Sequence, residues 1–375
     1  MARLDSICGM KMGQSPDSSS YNENGKGIPF FQGNADFGVI HPTVRVWCDA
    51  PTKIAYEGDI LISVRAPIGA LNIANTECCI GRGLAALTVD ETVCDKQYLW
   101  YGLASKVDEL NSKGTGSTFK AISKNVLAET EIPLPTIDIQ KQISLKLDNV
   151  CNLISLRKQQ LSKLDELVKS RFIELFGTIH DNKFGYEIKT LQDVCEQIKD
   201  GTHQTPTYTD DSVNGYKFLS SKDVTTGKID WTHSKYIPEE LHNELYARIA
   251  PRKGDILLAK NGTTGIAAIV DRDEIFDIYV SLALLRPIEI NSVYLWAAIN
   301  SVETKQQFDA SLKGIGVPNL HLGEIKKARI IVPPIEEQNQ FAAFVEQTDK
   351  SKFEIQKSLE KLETLKKALM QKYFG

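Results

Sequence analysis

Two stretches of this chain, LSKLDELVKSRFIELFG at 161–177 and LEKLETLKKALMQKYFG at 359–375, decide how the protein is organised. Aligned without a gap, they share seven residues, including the leucines at 164 and 362 and the closing Phe-Gly pair. Both stretches have leucines at the spacing of an amphipathic helix. A helix that ends both halves of one chain indicates an internal duplication.

The repeat extends through the whole chain. Matching segments occur in the same order in both halves, with an offset that drifts only between 187 and 200 residues. They are LDSICGMKMGQSP (4–16) with LQDVCEQIKDGTHQTP (191–206), GDIL (58–61) with GDIL (254–257), LAAL (84–87) with LALL (282–285), YLW (98–100) with YLW (294–296), Gly114-x-Gly116 with Gly314-x-Gly316, and IPLPTIDIQKQI (132–143) with IIVPPIEEQNQF (330–341). Chance produces isolated matches but not a collinear series, so the chain is two copies of one unit.

Each copy divides into a globular part and a long helix. Residues 1–135 consist of short apolar runs separated by Gly, Asn, Asp and Pro, which is typical of strands, and residues 195–330 repeat this layout. Within the first part, 95–113 has apolar residues three and four apart, so we expect a helix there. We predict globular domains at 1–143 and 179–341, and spacer helices at 144–178 and 342–375.

Both long helices repeat seam residues in a strict alternation of three and four positions over about four heptads, which is typical of a coiled coil. The seam positions are Leu147, Val150, Ile154, Arg157, Leu161, Leu164, Val168, Arg171 and Leu175, and Val345, Thr348, Lys352, Ile355, Leu359, Leu362, Lys366, Leu369 and Tyr373. A helix lying on its own domain would show the same spacing, but two copies supply each other's partner. We therefore expect the pair to hold the halves of the molecule apart, over roughly 48 Å for residues 145–176 at about 1.5 Å each.

Composition limits the class of protein. The chain has 375 residues, of which 42% are hydrophobic and 25% charged, so we expect two or three globular domains. No signal peptide or membrane-length apolar run occurs, and the seven cysteines form no CxxC pair. We therefore expect a cytoplasmic protein with reduced thiols and no metal site. A net charge of −4 argues against non-specific DNA coating, but leaves binding through local basic patches open.

No catalytic motif is apparent. The sequence has no Gly-rich loop ending in Gly-Lys-Ser/Thr, no GxSxG and no HExxH, and its six histidines are scattered. The segment 332–335, VPPI, is the nearest match to an adenine-methyltransferase motif, but it lacks the polar and the aromatic residue. Asp255 and Lys260 in GDILLAK loosely match a nuclease pattern. Because the first copy has Asp59 and Val64 there, we interpret this stretch as a strand.

The ordered motifs GDILISVRAPIG, IKDGTHQTP, GDILLAKNGTTG and GSTFKAIS, with the helix entrances IPLP and VPPIEEQ, resemble the specificity subunit of Type I restriction–modification systems. The resemblance covers essentially the whole chain. It implies an α+β fold with two similar target-recognition domains in tandem, each followed by a long helix. The two helices are expected to pair as an antiparallel coiled coil with pseudo-two-fold symmetry. Each domain is expected to read one part of a split, asymmetric site in double-stranded DNA.

The resemblance also implies partners in place of catalysis. Two methyltransferase subunits would dock on the helices and carry S-adenosylmethionine, with no cofactor on this chain, and restriction (motor–nuclease) subunits would cut DNA. No membrane partner is expected. Three alternatives stay open: a stand-alone methyltransferase or nuclease, a coiled-coil adaptor that binds only proteins, and a specificity subunit of an orphan methyltransferase or a two-subunit cutting system. A methyltransferase encoded in the neighbouring reading frame would favour the restriction–modification interpretation over the first two.

Candidate DNA-binding residues should lie in loops, because the repeated apolar strands are occupied by packing. Base edges are read by Arg, Lys, Asn, Gln and small hydroxyl side chains. The loops after the GDIL strands come first, since the copies share Gly69 and Gly265 but differ before them. Each candidate could instead cap a turn. The candidates are Arg65, Lys260, Asn261 and Thr263 in those loops, Gln32 and Asn34 with their matches Ser220, Ser221 and Lys222, and His203, Gln204 and Lys120.

Overall fold

The computed structural model describes residues 1–116, 120–312 and 318–375. These residues form two compact units. The first consists of Met1–Lys158 and Lys357–Gly375, and the second of Gln159–Gln356. Each unit therefore holds one globular domain, which we call the first and the second domain, together with part of both long helices.

The first domain is built from short strands, as its punctuated sequence predicts. They are β1 (Ala2–Arg3), β2 (Cys8–Met12), β3 (Tyr21–Asn22), β4 (Ile28–Phe31), β5 (Val46–Cys48), β6 (Ile54–Ala55), β7 (Ile60–Ser63), β8 (Leu71–Ile73), β9 (Cys78–Ile80), β10 (Leu84–Val89) and β11 (Glu131–Ile132). A four-stranded antiparallel sheet has the order β2-β10-β7-β8, and a five-stranded sheet has the order β3-β5-β4-β9-β6. Strand β1 pairs with β11.

The four-stranded sheet is covered on both faces. Ile60 and Ile62 of β7 pack on one side with Tyr98 of the following helical region. Leu61 points to the other side and packs with Phe31 of the five-stranded sheet. Successive side chains of a strand alternate between its faces, so a strand buried on both faces needs a continuous apolar run. This explains the sequence of the GDILIS stretch.

Helices cover the face of the sheet that carries Ile60 and Ile62. They are α1 (Lys96–Ser105), α2 (Val107–Ser112), α3 (Lys124–Ala128) and the first turns of the long helix α4 (Ile137–Phe176). The helix predicted at 95–113 is confirmed, with a break at Lys106 between α1 and α2. Asp95 caps α1, because its carboxylate accepts a hydrogen bond from the N–H of Tyr98 at 2.8 Å.

The second domain repeats this plan. Its elements are β12 (Glu187–Thr190), β13 (Cys195–Asp200), β14 (Tyr216–Leu219), β15 (Lys235–Ile237), α5 (Glu239–Arg248), β16 (Ile256–Ala259), β17 (Ala267–Ile269), β18 (Phe276–Ile278), β19 (Leu282–Pro287), α6 (Ser292–Ile299), α7 (Val302–Ser311), α8 (Leu322–Lys327) and β20 (Arg329–Val332). The sheet β13-β19-β16-β17 has the strand order of its counterpart β2-β10-β7-β8, and the second sheet has the order β15-β14-β18. The predicted tandem α+β architecture is confirmed. The Gly314-x-Gly316 match and residues 117–119 of GSTFK lie outside the described residues.

Two helices of 40 residues each, α4 and α9 (Ile335–Phe374), follow the two domains. At 1.5 Å per residue, each is about 60 Å long. Acidic residues occupy both first turns, Asp138 in α4 and Glu336 and Glu337 in α9. Their negative charges interact favourably with the positive end of the helix dipole and stabilise the helix. Both helices begin before the predicted spacer starts at 144 and 342, directly after the proline-containing entrances. The predicted domain boundaries themselves stay predictions.

The long helices run antiparallel, and each unit shows this by itself. In the first unit, Leu147 near the start of α4 shares a core with Phe374 at the end of α9. In the second unit, the ring of Phe176 at the end of α4 lies 5.6 Å, between centroids, from that of Phe341 near the start of α9. The end of each helix is therefore packed beside the start of the other.

Burial confirms the predicted coiled-coil seam. All nine seam positions named for α4 and all nine named for α9 are buried or half-buried. The polar seam residue Lys352 is accommodated because its Nζ lies 2.6 Å from Oδ1 of Asp165 on α4. Lys158 and Glu363 form another ion pair between the helices, at 3.1 Å.

The cysteines behave as small apolar side chains. All seven are free thiols, and six of them are buried. The adjacent Cys78 and Cys79 face opposite sides of β9, since Cys78 packs with Leu61 whereas Cys79 packs with Phe30. Burial raises the pKa of the Cys78 thiol to about 12, which disfavours the reactive thiolate.

Candidate nucleic-acid interface

A loop closed by glycine follows the GDIL strand in both domains. The N–H of Gly69 donates to the carbonyl of Ser63 at 2.9 Å, and the N–H of Gly265 donates to the carbonyl of Ala259 at 2.8 Å. The two glycines have φ values of +90° and +80°, a conformation that residues with a side chain rarely adopt. The shared glycines therefore close loops of similar shape, whose intervening residues differ.

The first of these loops brings two predicted DNA-binding residues together. Arg65 forms an isolated β-bridge with Ala121. The N–H of Ala66 donates to the carbonyl of Lys120 at 3.0 Å. The side chains of Arg65 and Lys120 are both exposed, so the first domain presents two cations at one edge.

The second loop presents uncharged polar residues in the equivalent place. Asn261, the residue that corresponds to Arg65, forms an isolated β-bridge with Asn319. Asn261 is half-buried and Thr263 is exposed. The two domains therefore close this loop with the same backbone hydrogen bond and offer different side chains from it.

Lys260 differs from the other predicted cations because it is buried. Its side chain is 7% exposed, and its Nζ lies 2.9 Å from Oδ2 of Asp200, the last residue of β13. A buried ammonium group requires a partner of opposite charge, and Asp200 supplies it. Lys260 does not reach the surface in this structure, and its role in DNA binding stays a prediction.

Asp200 accepts hydrogen bonds from two of the predicted DNA-binding residues. Its Oδ2 accepts from Nζ of Lys260 and also from Nε2 of His203, 3.0 Å away. Partial burial acts to raise the pKa of Asp200, but the hydrogen bonds and charge of Lys260 and His203 outweigh burial and lower this pKa below its usual value. Asp200 is therefore an ionised carboxylate at neutral pH. Gln204, the next residue after His203, is exposed.

Gln32 and Asn34 lie beside a short turn in the first domain. The exposed side chain of Gln32 exchanges hydrogen bonds with the hydroxyl of Ser15 at 3.0 and 3.1 Å. Asn34 is half-buried and begins the 3-10 turn Asn34–Asp36. The carboxylate of Asp36 accepts a hydrogen bond from the N–H of Gln32 at 2.7 Å. Gln32 is thus fixed at its backbone and at its side chain.

The matching residues of the second domain divide into turn-forming residues and one exposed cation. The N–H of Ser220 donates to the carboxylate of Asp223 at 2.6 Å, and its hydroxyl donates to the same group at 3.0 Å. The N–H of Ser221 donates to the hydroxyl of Ser281 at 3.0 Å. Lys222 is exposed. The hydroxyl of Ser220 is therefore used within the turn, and Lys222 is available for an outside partner.

Backbone hydrogen bonds place Ser15 and His203 at the same position of their domains. The N–H of Gly13 donates to the carbonyl of Leu84, the first residue of β10, at 2.9 Å. The N–H of Gly201 donates to the carbonyl of Leu282, the first residue of β19, at 3.2 Å. Two residues after these glycines come Ser15 and His203. The same backbone position thus carries a serine bonded to Gln32 in one domain and a histidine bonded to Asp200 in the other.

Reasoning from the sequence missed Asp200. In the strand registers, Asp200 lies opposite Ala283 as Met12 lies opposite Ala85. Lys260 replaces Val64 in the same comparison, so two opposite charges stand where the first domain has two apolar residues. A position-by-position comparison of the two copies carries this signal.

Metal-binding clusters and membrane-spanning helices are absent from the described part of the chain. Its histidine, cysteine and acidic side chains include no cluster of three or more placed to hold a metal ion. Its helices include none that is long and apolar enough to cross a membrane. The loops above are the candidate interface.

Known proteins resemble this chain over both of its halves. The family model described as the Type I restriction modification DNA specificity domain matches residues 1–166 and 184–367. The putative type I restriction enzyme MjaX specificity subunit of Methanocaldococcus jannaschii is 41% identical over 158 residues, which are 42% of this chain and 37% of that protein. The type I restriction enzyme EcoBI specificity subunit of Escherichia coli is 23% identical over 412 residues, covering 99% of this chain and 84% of that protein.

A solved structure shares the fold of the whole chain. The S subunit of a Type I restriction–modification system from M. genitalium covers 100% of this chain with 95% of its own, at 17% identity and a TM-score of 0.58. The HsdS subunit from Thermoanaerobacter tengcongensis is 49% identical, but the match covers only 40% of this chain and 36% of that one, with a TM-score of 0.36. The match to the M. genitalium subunit shows that the two-domain architecture is shared.

Proposed function

Since this chain belongs to the family of Type I restriction modification DNA specificity domains, we propose that it selects the DNA sequence on which a Type I restriction–modification complex acts. Each of its two domains reads one part of a bipartite site. The observation that carries the proposal is the loop after the GDIL strand. In both domains a glycine of positive φ closes this loop with the same backbone hydrogen bond, while the residues before that glycine differ, as with the exposed Arg65 and the half-buried Asn261. A common frame with different side chains suits two modules that read different bases.

The proposed site is asymmetric because the domains present different chemistry. The first domain offers Arg65 and Lys120 as neighbouring cations. The second offers Asn261, Thr263 and the exposed His203 that is bonded to Asp200. Arginine pairs well with guanine, and asparagine with adenine. Two unlike reading surfaces therefore select two unlike half-sites.

The chain itself is proposed to be non-catalytic and to work in the cytoplasm. Two methyltransferase subunits that carry S-adenosylmethionine modify adenine in the selected site, and restriction subunits cut DNA that lacks the modification. In support of docking, Leu145, Leu153 and Leu156 of α4 are exposed although they are apolar. Residues three and eleven positions apart share a helix face, and an apolar stripe of this kind is typical of a protein contact.

The test is to produce the chain with the methyltransferase encoded beside its gene and to map methylated adenines across a host genome. A bipartite, non-palindromic motif with a fixed gap is expected. Methylation without sequence preference, or of a single continuous motif, contradicts the proposal. If the chain binds no duplex at any salt concentration, the protein-only adaptor is the better interpretation.

A further inference from the structure

The cluster of Lys260, Asp200 and His203 forms a row from the interior of the second domain to its surface. The side chain of Lys260 is 7% exposed and that of Asp200 is 14% exposed, whereas that of His203 is 69% exposed. One carboxylate oxygen, Oδ2 of Asp200, lies 2.9 Å from Nζ of Lys260 and 3.0 Å from Nε2 of His203. Lys260 is bonded to Asp200, and Asp200 in turn is bonded to the exposed ring of His203.

The cluster also fixes the hydrogen-bonding character of the histidine. Asp200 is ionised, and a carboxylate only accepts hydrogen bonds, so Nε2 of His203 must carry a proton. In the neutral ring the other nitrogen, Nδ1, is then an acceptor. An exposed histidine that is free to turn would present either nitrogen. His203 instead has a defined donor side toward Asp200 and a defined acceptor on the opposite part of its ring.

The first domain has a fixed polar side chain at the same backbone position. Ser15 corresponds to His203, and it holds the amide of Gln32, a predicted base reader, through hydrogen bonds of 3.0 and 3.1 Å. The first domain has Met12 and Val64 where the second has Asp200 and Lys260, so the Lys–Asp charge pair has no counterpart beneath Ser15. The same position of the fold thus orients a polar group by different means in each domain.

We propose that His203 is a specificity-determining residue of the second half-site and that Asp200 and Lys260 are positioning residues that orient its ring. This proposal rests on the proposed function and deepens it. Nδ1 of His203 accepts a hydrogen bond from an exocyclic amino group at a base edge in the major groove, either N6 of adenine or N4 of cytosine. Lys260 contributes through Asp200 and does not itself touch DNA.

The first experiment uses the full chain in complex with its methyltransferase and a pool of duplexes with a randomised segment of about 20 base pairs. For the wild type, selection should yield two separate clusters of preferred bases. In His203→Ala, preference should fall by about 5- to 150-fold at one position of one cluster. Asp200→Asn and Lys260→Met should weaken the base preference at the same position. Lys260→Arg keeps the charge and should therefore keep the wild-type preference there.

The chain offers a matched control. His233 also pairs with an aspartate three residues earlier, Asp230, at 2.8 Å, and its side chain is 81% exposed. Because no lysine stands behind that pair among the ion pairs of the described residues, His233→Ala should leave both clusters unchanged. The cluster read by the first domain reports in every variant whether the protein is folded and assembled.

The second experiment deletes the amino group from the DNA. Duplexes carry purine for adenine, or 2-pyrimidinone for cytosine, at the position that His203→Ala relaxes. The wild type should lose affinity on this change. His203→Ala already lacks the contact, so its affinity should stay the same. An equal loss in both proteins overturns the assigned contact, as does an unchanged preference in His203→Ala or a uniform loss across all positions. If the wild type selects no sequence at all, it is the proposed function that fails.

Discussion

Phe176 and Phe374, which close the shared helix motif, each complete the core of a domain. The ring of Phe374 lies 4.9 Å from that of Tyr98, and the ring of Phe176 lies 4.9 Å from that of Tyr294. These tyrosines begin the duplicated YLW tripeptide. Since Phe374 ends the helix that follows the second domain, the first domain needs the last turn of α9 to complete its core. This is why both halves end with the same residues.

Phe374→Ala should therefore destabilise the first unit. Removing a buried phenylalanine costs about 3–5 kcal/mol, and local stability is reported by amide hydrogen exchange. Exchange should accelerate in β10 and stay unchanged in β19. Phe353→Ala removes an exposed phenylalanine of the same helix, and it should change neither strand. Equal acceleration in β10 and β19 after Phe374→Ala would contradict this role.

A buried pair in the second domain predicts a pH effect. Nδ1 of His242 lies 2.7 Å from Oδ2 of Asp277. Burial raises the pKa of Asp277 from 3.8 to about 6, against the opposing effect of His242. Between these two values the native state binds a proton that the unfolded state releases, so this group makes the free energy of unfolding fall as pH rises.

The variant Asp277→Asn should remove that contribution. The free energy of unfolding of the wild type minus that of the variant should decrease from about pH 4 to about pH 6 and then level off. The difference is measured by urea unfolding at a series of pH values, with a signal that reports the unfolding of the second unit. A difference that rises with pH over this interval would show that the carboxylate is stabilised by its surroundings.

At the scale of elements, the antiparallel helix pair is the proposed ruler between the half-sites. One heptad adds about 10 Å of helix, and B-DNA advances about 3.4 Å per base pair on each strand. Inserting one heptad after Leu156 in α4 and one after Leu362 in α9 should therefore lengthen the gap in the methylated motif by about three base pairs.

Genome-wide methylation mapping of the double insertion gives the new gap directly. The matched control is a heptad inserted in α4 alone, which leaves the seam without a partner over seven positions and should lower or abolish methylation. An active double insertion with an unchanged gap would show that the helices do not set the separation.

Local periodicity explains which elements the sequence predicts well. The seam was predictable because a 3–4 alternation of buried residues needs only neighbouring positions, and the strands were predictable from short apolar runs between Gly and Pro. The Lys260–Asp200 pair joins residues 60 positions apart, which no local pattern reveals. The bond from the hydroxyl of Ser220 to Asp223 is different, because it joins residues only three positions apart and the Ser-x-x-Asp pattern could have predicted it. The role of Lys260 as a candidate site residue depends on a non-local contact.

At the scale of the whole molecule, the net charge of −4 disfavours tight non-specific binding to DNA by this chain alone, and we propose that partner subunits supply part of the positive charge. The exposed stripe of Leu145, Leu153 and Leu156 is the proposed contact for one of them. Leu145→Asp with Leu156→Asp should abolish co-purification of the methyltransferase, because buried unpaired charges oppose association. Ser155→Asp, an exposed change on the same helix that lies at least about 80° around the helix axis from the three leucines, is the control and should leave co-purification intact. Full recovery of the complex with the double variant would place the contact elsewhere.

Each domain is proposed to read its own part of the site. The most direct measurement is methylation mapping after residues 1–135 are exchanged for the corresponding globular part of another specificity subunit. The second unit keeps its own residues in this exchange, including the Lys260–Asp200–His203 cluster. One half of the motif should change while the other half and the gap stay the same. A motif that changes in both halves at once, in a complex that still methylates DNA, would contradict this proposal.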